Sequence, residues 1–126
     1  MAKDTEHFKV SEFACKHCGE NKIDQRVINM AQEIRDFLGV PVRVNSGYRC
    51  EVHNAKVGGV KGSKHTKGLA CDLSCSKGGK ALFDAVHSLR EQGKLIDLNY
   101  CIYYKAKNFI HIDCGGKRNN LYEVRP

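Results

Sequence analysis

Two segments of the chain repeat apolar residues every three or four positions, which is the spacing of an amphipathic helix. The first helix is predicted over residues 24–38, with Asp24 as its capping residue and Gly39 at its end. Its apolar positions are Val27, Ala31, Ile34 and Leu38. The second helix is predicted over residues 79–92, and its apolar positions are Leu82, Ala85, Val86 and Leu89. Both helices are expected to be scaffold.

Four shorter segments have the alternation or the β-branched and aromatic content of strands. They are residues 40–44, 69–74, 99–104 and 109–113. The last two are separated by residues 105–108, a length that suits a hairpin loop. Because helices and strands do not alternate strictly, the pattern predicts an α+β fold with helices packed against an antiparallel sheet.

Composition favours one compact domain over residues 1–126. The chain is 41% hydrophobic and 28% charged, and it has no internal repeat or low-complexity segment. No apolar run approaches the roughly 20 residues that a membrane-spanning helix needs. The first residues also lack the apolar core of a secretory signal, so we expect neither a membrane span nor a signal peptide.

The charge is strongly basic, with 21 lysines and arginines against 14 acidic residues and a formal net charge of +7. Such a charge favours a polyanionic partner, either nucleic acid or an anionic cell-wall polymer. The basic residues are scattered, which is equally typical of a solvated surface. Nucleic acid is disfavoured because neither a recognition-helix pattern nor an aromatic stacking motif accompanies the charge.

Residue types that bind metals are concentrated in two places. His65 and Asp72 lie in a segment rich in small and polar residues, where a packed core would need apolar ones. His111 and Asp113 lie in the last predicted strand, where a period of two puts them on one face. Two histidines and a carboxylate are the ligand set of a catalytic zinc with an open fourth position. The alternative is a histidine and an aspartate that only hydrogen-bond within a loop.

Several short motifs recur together in an order and spacing that resembles a known family. They are Ser46-Gly47-Tyr48-Arg49, His53-Asn54, Val57-Gly58-Gly59-Val60, Ser63-x-His65-x-x-Gly68-x-Ala70-x-Asp72 and His111-x-Asp113. Together they span roughly residues 8–115 and resemble the M15 family of zinc D-Ala-D-Ala carboxypeptidases. The resemblance implies the α+β fold shared with the hedgehog signalling domain. It also implies a zinc metallopeptidase that cuts peptidoglycan stem peptides, at the D-Ala-D-Ala bond or, as in phage endolysins, at the L-Ala-D-Glu bond.

The resemblance also implies roles for single residues. His65, Asp72 and His111 would be the zinc ligands. Arg49 would bind and polarise the substrate carbonyl or stabilise the oxyanion, which suits a permanently charged guanidinium with forked donors. Ser63 would contact the substrate. A surface ion pair is the alternative for Arg49, and a turn position is the alternative for Ser63.

The general base is where the sequence departs from the family. Characterised members often have an acidic residue or histidine three positions before the last zinc ligand, and that position is Asn108 here. A neutral amide cannot take a proton from water. Either Asp113 or another residue therefore takes the proton, and the alternative role for Asp113 is to orient His111 or His65. Without a base, the chain would be a non-catalytic zinc-containing module that binds the cell wall or belongs to a phage structure.

The seven cysteines are an odd number, so they cannot all pair within the chain. Cys15 and Cys18 form a Cys-x-x-Cys motif, which is half of a structural zinc site. Cys71 and Cys75 are the residues expected to complete it if a second zinc binds; a disulfide or plain buried thiols are the alternatives. The remaining cysteines are expected to pack; they are Cys50, Cys101 and Cys114. His53 is close enough in sequence to Arg49 to line the same cleft.

The resemblance implies a cellular setting as well. The expected partner is bacterial peptidoglycan, and the chain is expected to be a monomer. It would be made in the bacterial cytoplasm and reach the wall after holin-type release in a phage or prophage lytic programme. A cytoplasmic enzyme that recycles muropeptides is the alternative.

Overall fold

The computed structural model describes residues 2–116 and 120–126, which form three α-helices, two short 3-10 helices and five strands. The α-helices are α1 (Gln25–Leu38), α2 (Glu51–Lys56) and α3 (Gly79–Glu91), and the 3-10 helices are Val10–Phe13 and Lys64–Lys67. The strands are β1 (Val42–Ser46), β2 (Ala70–Cys75), β3 (Tyr100–Tyr104), β4 (Phe109–Asp113) and β5 (Tyr122–Arg125). Both predicted helices and all four predicted strands are confirmed to within two residues. Among the described helices, none has the length and apolar character needed to cross a membrane.

Local chemistry sets the bounds of α1 where the sequence predicts them. The Asp24 side chain accepts a hydrogen bond from the Arg26 backbone N–H at 2.9 Å and also binds the Arg26 side chain, which lowers the pKa of Asp24. Removing such a cap costs about 1 kcal/mol. Gly39 ends the helix at φ 67°, a left-handed conformation that glycine adopts without a steric penalty.

The five strands form one sheet in the order β1-β2-β4-β3-β5. All neighbours are antiparallel except β3 and β5, which are parallel. The sheet is therefore mixed, whereas the sequence predicted an antiparallel one. The difference arises from β5, because a four-residue edge strand is too short to give a recognisable alternation. The α+β class itself is confirmed.

The two faces of the sheet differ in character. One face packs against α1 and α3 through side chains that are fully buried. They include Cys71, Leu73, Cys101, Ile110 and Ile112. Burying a side chain such as leucine or isoleucine stabilises a fold by roughly 1.5–3 kcal/mol. This face and the helices therefore make the core and leave the other face for polar chemistry.

A row of paired residues crosses the polar face from one edge of the sheet to the other. Ser46 pairs with Asp72, Asp72 with His111, His111 with Ile102, and Ile102 with Glu123. Residues paired across neighbouring strands project to the same face. The register therefore sets His111 directly beside Asp72, although 39 positions separate them in the sequence.

Candidate metal centre and substrate cleft

His65, Asp72 and His111 meet on the polar face of the sheet, as the sequence predicts. The Oδ1 atom of Asp72 lies 3.3 Å from His65 Nε2 and 3.1 Å from His111 Nδ1. Zinc bonds of about 2.0–2.1 Å in a tetrahedron put neighbouring ligand atoms roughly 3.3 Å apart. The three donors therefore fit one Zn²⁺ ion with a fourth position open to the cleft.

The backbone around His65 fixes the tautomer of its ring. The Nδ1 atom of His65 lies 2.8 Å from the carbonyl oxygen of Gly47. Because a carbonyl only accepts, Nδ1 carries the proton and Nε2 is left as the electron-pair donor toward Asp72. Ser63 caps the 3-10 helix, and its Oγ accepts from the His65 N–H at 3.2 Å. Gly68 ends that helix at φ 73°, where a Cβ atom would lie 1.9 Å from a backbone oxygen.

Both ring nitrogens of His111 face carboxylates. Nδ1 is 3.1 Å from Asp72 Oδ1, and Nε2 is 2.7 Å from Asp113 Oδ2. Burial alone would lower the pKa of His111, but the hydrogen bonds to Asp113 and Asp72 raise it to about 9. Burial would likewise raise the pKa of Asp72, but hydrogen bonds from His111 and His65 bring it below its usual range. A metal ion at Nδ1 would replace one of the two protons on His111.

Asp113 holds His111 from the side opposite to Asp72. It is 3% exposed, its Oδ2 contacts His111, and its Oδ1 accepts a hydrogen bond from Asn99 Nδ2 at 2.8 Å. With Nε2 engaged by Asp113, the Nδ1 atom of His111 is the nitrogen that faces Asp72. Sequence patterns did not identify Asn99, because they do not reveal that this polar residue is buried beside the site.

Arg49 is built into the site and does not form a surface ion pair. Its Nε donates to Ser46 Oγ at 3.0 Å, its Nη1 to Asn54 Oδ1 at 3.2 Å, and its Nη2 to Asp72 Oδ2 at 3.2 Å. The Arg49 side chain is only 14% exposed. A guanidinium has five N–H groups, so these contacts use three and leave two for a ligand in the cleft.

Asn54 is a site residue whose role the sequence did not reveal. It is 4% exposed, accepts from Arg49 and donates through Nδ2 to the Val60 carbonyl at 2.9 Å. A Cβ atom at position 59 would lie 2.0 Å from Asn54 Oδ1, so only glycine fits beside it. Asn54 therefore ties the Gly59 loop to the guanidinium of Arg49.

A cleft of about 460 Å³ lies over the three candidate ligands. Such a volume is typical of small-molecule and peptide sites. The sheet contributes aromatic walls from Tyr100, Tyr104 and Phe109. The basic residues of the lining are Arg49, Lys64, Lys107 and Arg125, and Ser63 also lines the cleft. The opening is therefore cationic, which favours a substrate that carries carboxylates.

Asn108, at the position expected for the general base, lies outside this cleft. It occupies the β3–β4 turn at φ 60°, a conformation that asparagine tolerates better than most residues. Its Oδ1 accepts a hydrogen bond from the Gly79 N–H, at the start of α3, at 2.7 Å. Asn108 therefore stabilises the β3–β4 turn and the start of α3, on the face of the sheet that packs against the helices.

The cysteines that cluster near Cys15 and Cys18 are not those that the sequence suggested. Cys71 is fully buried in the core and Cys75 contacts the Gly78 carbonyl, so the expectation that these two join Cys15 and Cys18 is wrong. Cys50, expected to pack, is the residue that lies beside that pair. His53 is absent from the described lining of the cleft, and its ring stacks on His17 instead.

Comparison with known proteins agrees with the fold and the site. The family model described as Peptidase M15 matches residues 6–113. No curated protein matches the chain. Peptidases of this family are in general zinc-dependent, and the donor set of His65, Asp72 and His111 suits that metal. Because the match spans most of the sequence, the chain belongs to the peptidase M15 family.

Proposed function

We propose that the protein is a zinc-dependent peptidase that hydrolyses the stem peptides of bacterial peptidoglycan. Family membership supports peptidase activity. The observation that carries the zinc assignment is the approach of His65 Nε2 and His111 Nδ1 to one oxygen of Asp72, at 3.3 and 3.1 Å. The scissile bond in this proposal is D-Ala-D-Ala or L-Ala-D-Glu.

The zinc ion and the residues around its ligands would have different roles in hydrolysis. A zinc ion on His65, Asp72 and His111 would lower the pKa of bound water to about 7 and polarise the scissile carbonyl. The two unengaged N–H groups of Arg49 point to a role in holding the substrate carbonyl or a carboxylate. Ser63 lines the cleft while its hydroxyl caps His65, so its substrate contact would come from the same hydroxyl.

The assignment of the proton acceptor rests on which carboxylate of the cleft face is open to solvent. The described strands place Asp72, Asp113 and Glu123 on the cleft face. Each of the three uses both oxygens in hydrogen bonds, but Asp72 and Asp113 are buried whereas the Glu123 side chain is 38% exposed. We therefore assign Asp113 the positioning of His111, and Glu123 the acceptance of the proton.

A hydrogen bond through Tyr100 links Glu123 to the cleft. Tyr100 lines the cleft, and its hydroxyl donates a hydrogen bond to Glu123 Oε1. A hydrogen bond from Arg125 lowers the pKa of Glu123, which makes its carboxylate a weaker proton acceptor than a free glutamate. Tyr100 would then relay a proton from the cleft to Glu123.

The substrate class follows from the charge and shape of the cleft. Lys107 and Arg125 add positive charge to an opening with aromatic walls. Stem peptides combine carboxylates with short alkyl side chains, which suits such a lining. The net charge of +7 would add attraction to the anionic wall as a whole. We propose on this basis a lytic enzyme of phage or prophage origin that acts on the wall after release from the cytoplasm.

A non-catalytic wall-binding module of the same fold is the competing reading. The feature that favoured it was the amide at position 108, and the Asn108 side chain engages Gly79 rather than the cleft. Position 108 therefore supplies no base to the cleft, and turnover of peptidoglycan separates this alternative from the enzyme.

Digestion of purified peptidoglycan tests the proposal. The zinc-loaded protein should release peptides whose new ends identify the bond, and a chelator should stop the release. His65→Ala should abolish release, whereas His7→Ala should not, because His7 lies against Gln32 of α1, away from the cleft. Intact peptidoglycan after incubation with zinc-loaded wild-type protein would contradict a catalytic role.

A further inference from the structure

A second cluster of metal-binding side chains lies outside the cleft and has no part in the proposed reaction. The Sγ atoms of Cys15, Cys18 and Cys50 all lie within 4.8 Å of one another. Zinc–sulfur bonds of about 2.3 Å in a tetrahedron put sulfur atoms roughly 3.8 Å apart. All three residues are free thiols. The cluster therefore has nearly the size of a thiolate site around a single ion.

A tight turn presents the first two sulfurs. The Cys15 N–H donates to the Glu20 carbonyl at 2.8 Å, and the Gly19 N–H donates back to the Cys15 carbonyl at 2.9 Å. Gly19 takes φ 77°, which closes the turn in a conformation suited to glycine. The turn brings Cys18 over Cys15.

Cys50 reaches this turn from a distant part of the chain. It is the capping residue of α2, and its Sγ accepts from the His53 N–H at 3.4 Å. Its own N–H donates to Cys15 Sγ at 3.4 Å. Backbone N–H groups directed at sulfur stabilise the negative charge of thiolates around a metal. The two N–H groups are therefore placed to stabilise negative charge on the sulfurs of a metal-bound cluster.

His17 lies beside Cys50 and is the candidate fourth donor, while the group whose atoms all lie within 4.8 Å of one another is the three cysteines. The Nδ1 atom of His17 lies 3.5 Å from Cys50 Sγ. In a tetrahedron with zinc bonds of about 2.3 Å to sulfur and 2.0–2.1 Å to nitrogen, these donors would lie roughly 3.6 Å apart. The His17 ring stacks parallel to that of His53, which packs it against α2.

We propose that Cys15, Cys18, Cys50 and His17 bind a second zinc ion in a closed, structural site. Four protein donors leave no position for water, which is the feature that separates structural from catalytic zinc.

The position of this site suggests what it stabilises. Cys50 directly follows Arg49 in the chain, and the neighbouring Tyr48 N–H donates to the Phe13 carbonyl at 2.8 Å. The zinc would therefore fasten the segment around Phe13 to the segment that carries Arg49. Its loss should lower thermal stability and loosen the guanidinium of Arg49.

Metal analysis of zinc-reconstituted protein under reducing conditions tests this site independently of peptidase activity. Wild type should hold about two zinc ions per chain, and Cys50→Ser about one. His65→Ala should also hold about one zinc ion, and the variant that combines Cys50→Ser with His65→Ala should hold none. Cys75→Ser is the matched control, since it removes a thiol outside the cluster and should keep both ions. One ion in wild type that survives in Cys50→Ser would overturn the proposal.

Alkylation of cysteines in the wild-type chain tests the site without relying on a variant that must fold. Zinc should protect Cys15, Cys18 and Cys50 from alkylation, as read by peptide mass mapping, and a chelator should restore their reaction. Equal alkylation with and without zinc, or a Cys15–Cys18 disulfide in the reduced, zinc-loaded protein, would refute the site. Loss of the second ion in His53→Ala but not in His17→Ala would overturn the assignment of the fourth ligand.

Discussion

Replacing Asp113 by asparagine separates the two roles that this residue can have. The substitution keeps the size of the side chain but removes the negative charge 2.7 Å from His111 Nε2. Both groups are largely buried, with exposed side-chain fractions of 4% for Asp113 and 13% for His111. A hydrogen bond to a charged group in such a setting contributes about 1.5–3 kcal/mol.

If Asp113 only positions His111, losing this hydrogen bond should weaken the binding of zinc. Losing the partner of a ligating histidine typically weakens metal binding 10–100-fold, or about 1.4–2.7 kcal/mol. We therefore expect Asp113→Asn to raise the Kd for zinc by this factor. At saturating zinc, kcat should stay within a few-fold of wild type.

Two assays on the same preparation distinguish the roles. Competition with a chromogenic chelator gives the Kd, and hydrolysis of a muropeptide at saturating zinc gives kcat. If Asp113 were the general base, kcat would fall roughly 10²–10⁴-fold while the Kd stayed unchanged. That pattern would refute the positioning role.

Four further predictions concern the proton, the base and the supporting residues. Glu123→Gln should lower kcat about 10²–10⁴-fold with the zinc Kd unchanged, and a rate equal to wild type would exclude it as the base. The pKa of about 9 keeps His111 protonated in the metal-free protein at pH 7, so zinc binding at that pH should release about one proton from His111. The affinity for zinc should therefore rise with pH up to about 9. Calorimetry in buffers of different ionisation enthalpy measures the proton release. Asn54→Ala should raise KM by freeing Arg49 and cost about 1–3 kcal/mol in urea unfolding. Asn108→Asp should not raise the rate, since the side chain contacts Gly79; faster hydrolysis would show that position 108 acts in the cleft.

The elements that periodicity predicts are those long enough to show it. Both long helices have several turns of apolar repeats and a glycine just after the last turn, Gly39 for α1 and Gly93 for α3. In contrast, α2 has six mostly polar residues and β5 has four, so neither gives a pattern. Their places depend on contacts with distant segments, such as the pairing of β5 with β3.

The candidate ligands were predictable from residue type and motif, but the residues that support them were not. His65, Asp72 and His111 belong to short motifs whose chemistry is visible in the sequence. The contact between Cys50 and Cys15 joins residues 35 positions apart, and only the folded chain brings them together. Asn54 and Asn99 resemble surface residues until burial reveals them.

The alternation of side chains along a strand explains why Asn108, three positions before His111, does not face the cleft. Side chains alternate along a strand, so positions 109, 111 and 113 share the cleft face. Position 108 differs from His111 by an odd number of residues, and a continuing strand would put it on the core side. The structure agrees, because Asn108 contacts the start of α3.

We propose that zinc on His65, Asp72 and His111 makes this chain a peptidase of wall peptides. The most direct test adds zinc to chelator-stripped protein in the presence of a defined stem peptide that contains both candidate bonds, with products read by mass spectrometry. Wild type should regain cleavage of a single bond as zinc is added, and His111→Ala should not cleave at any zinc concentration. Cleavage that needs no zinc, or that survives in His111→Ala, would contradict the account.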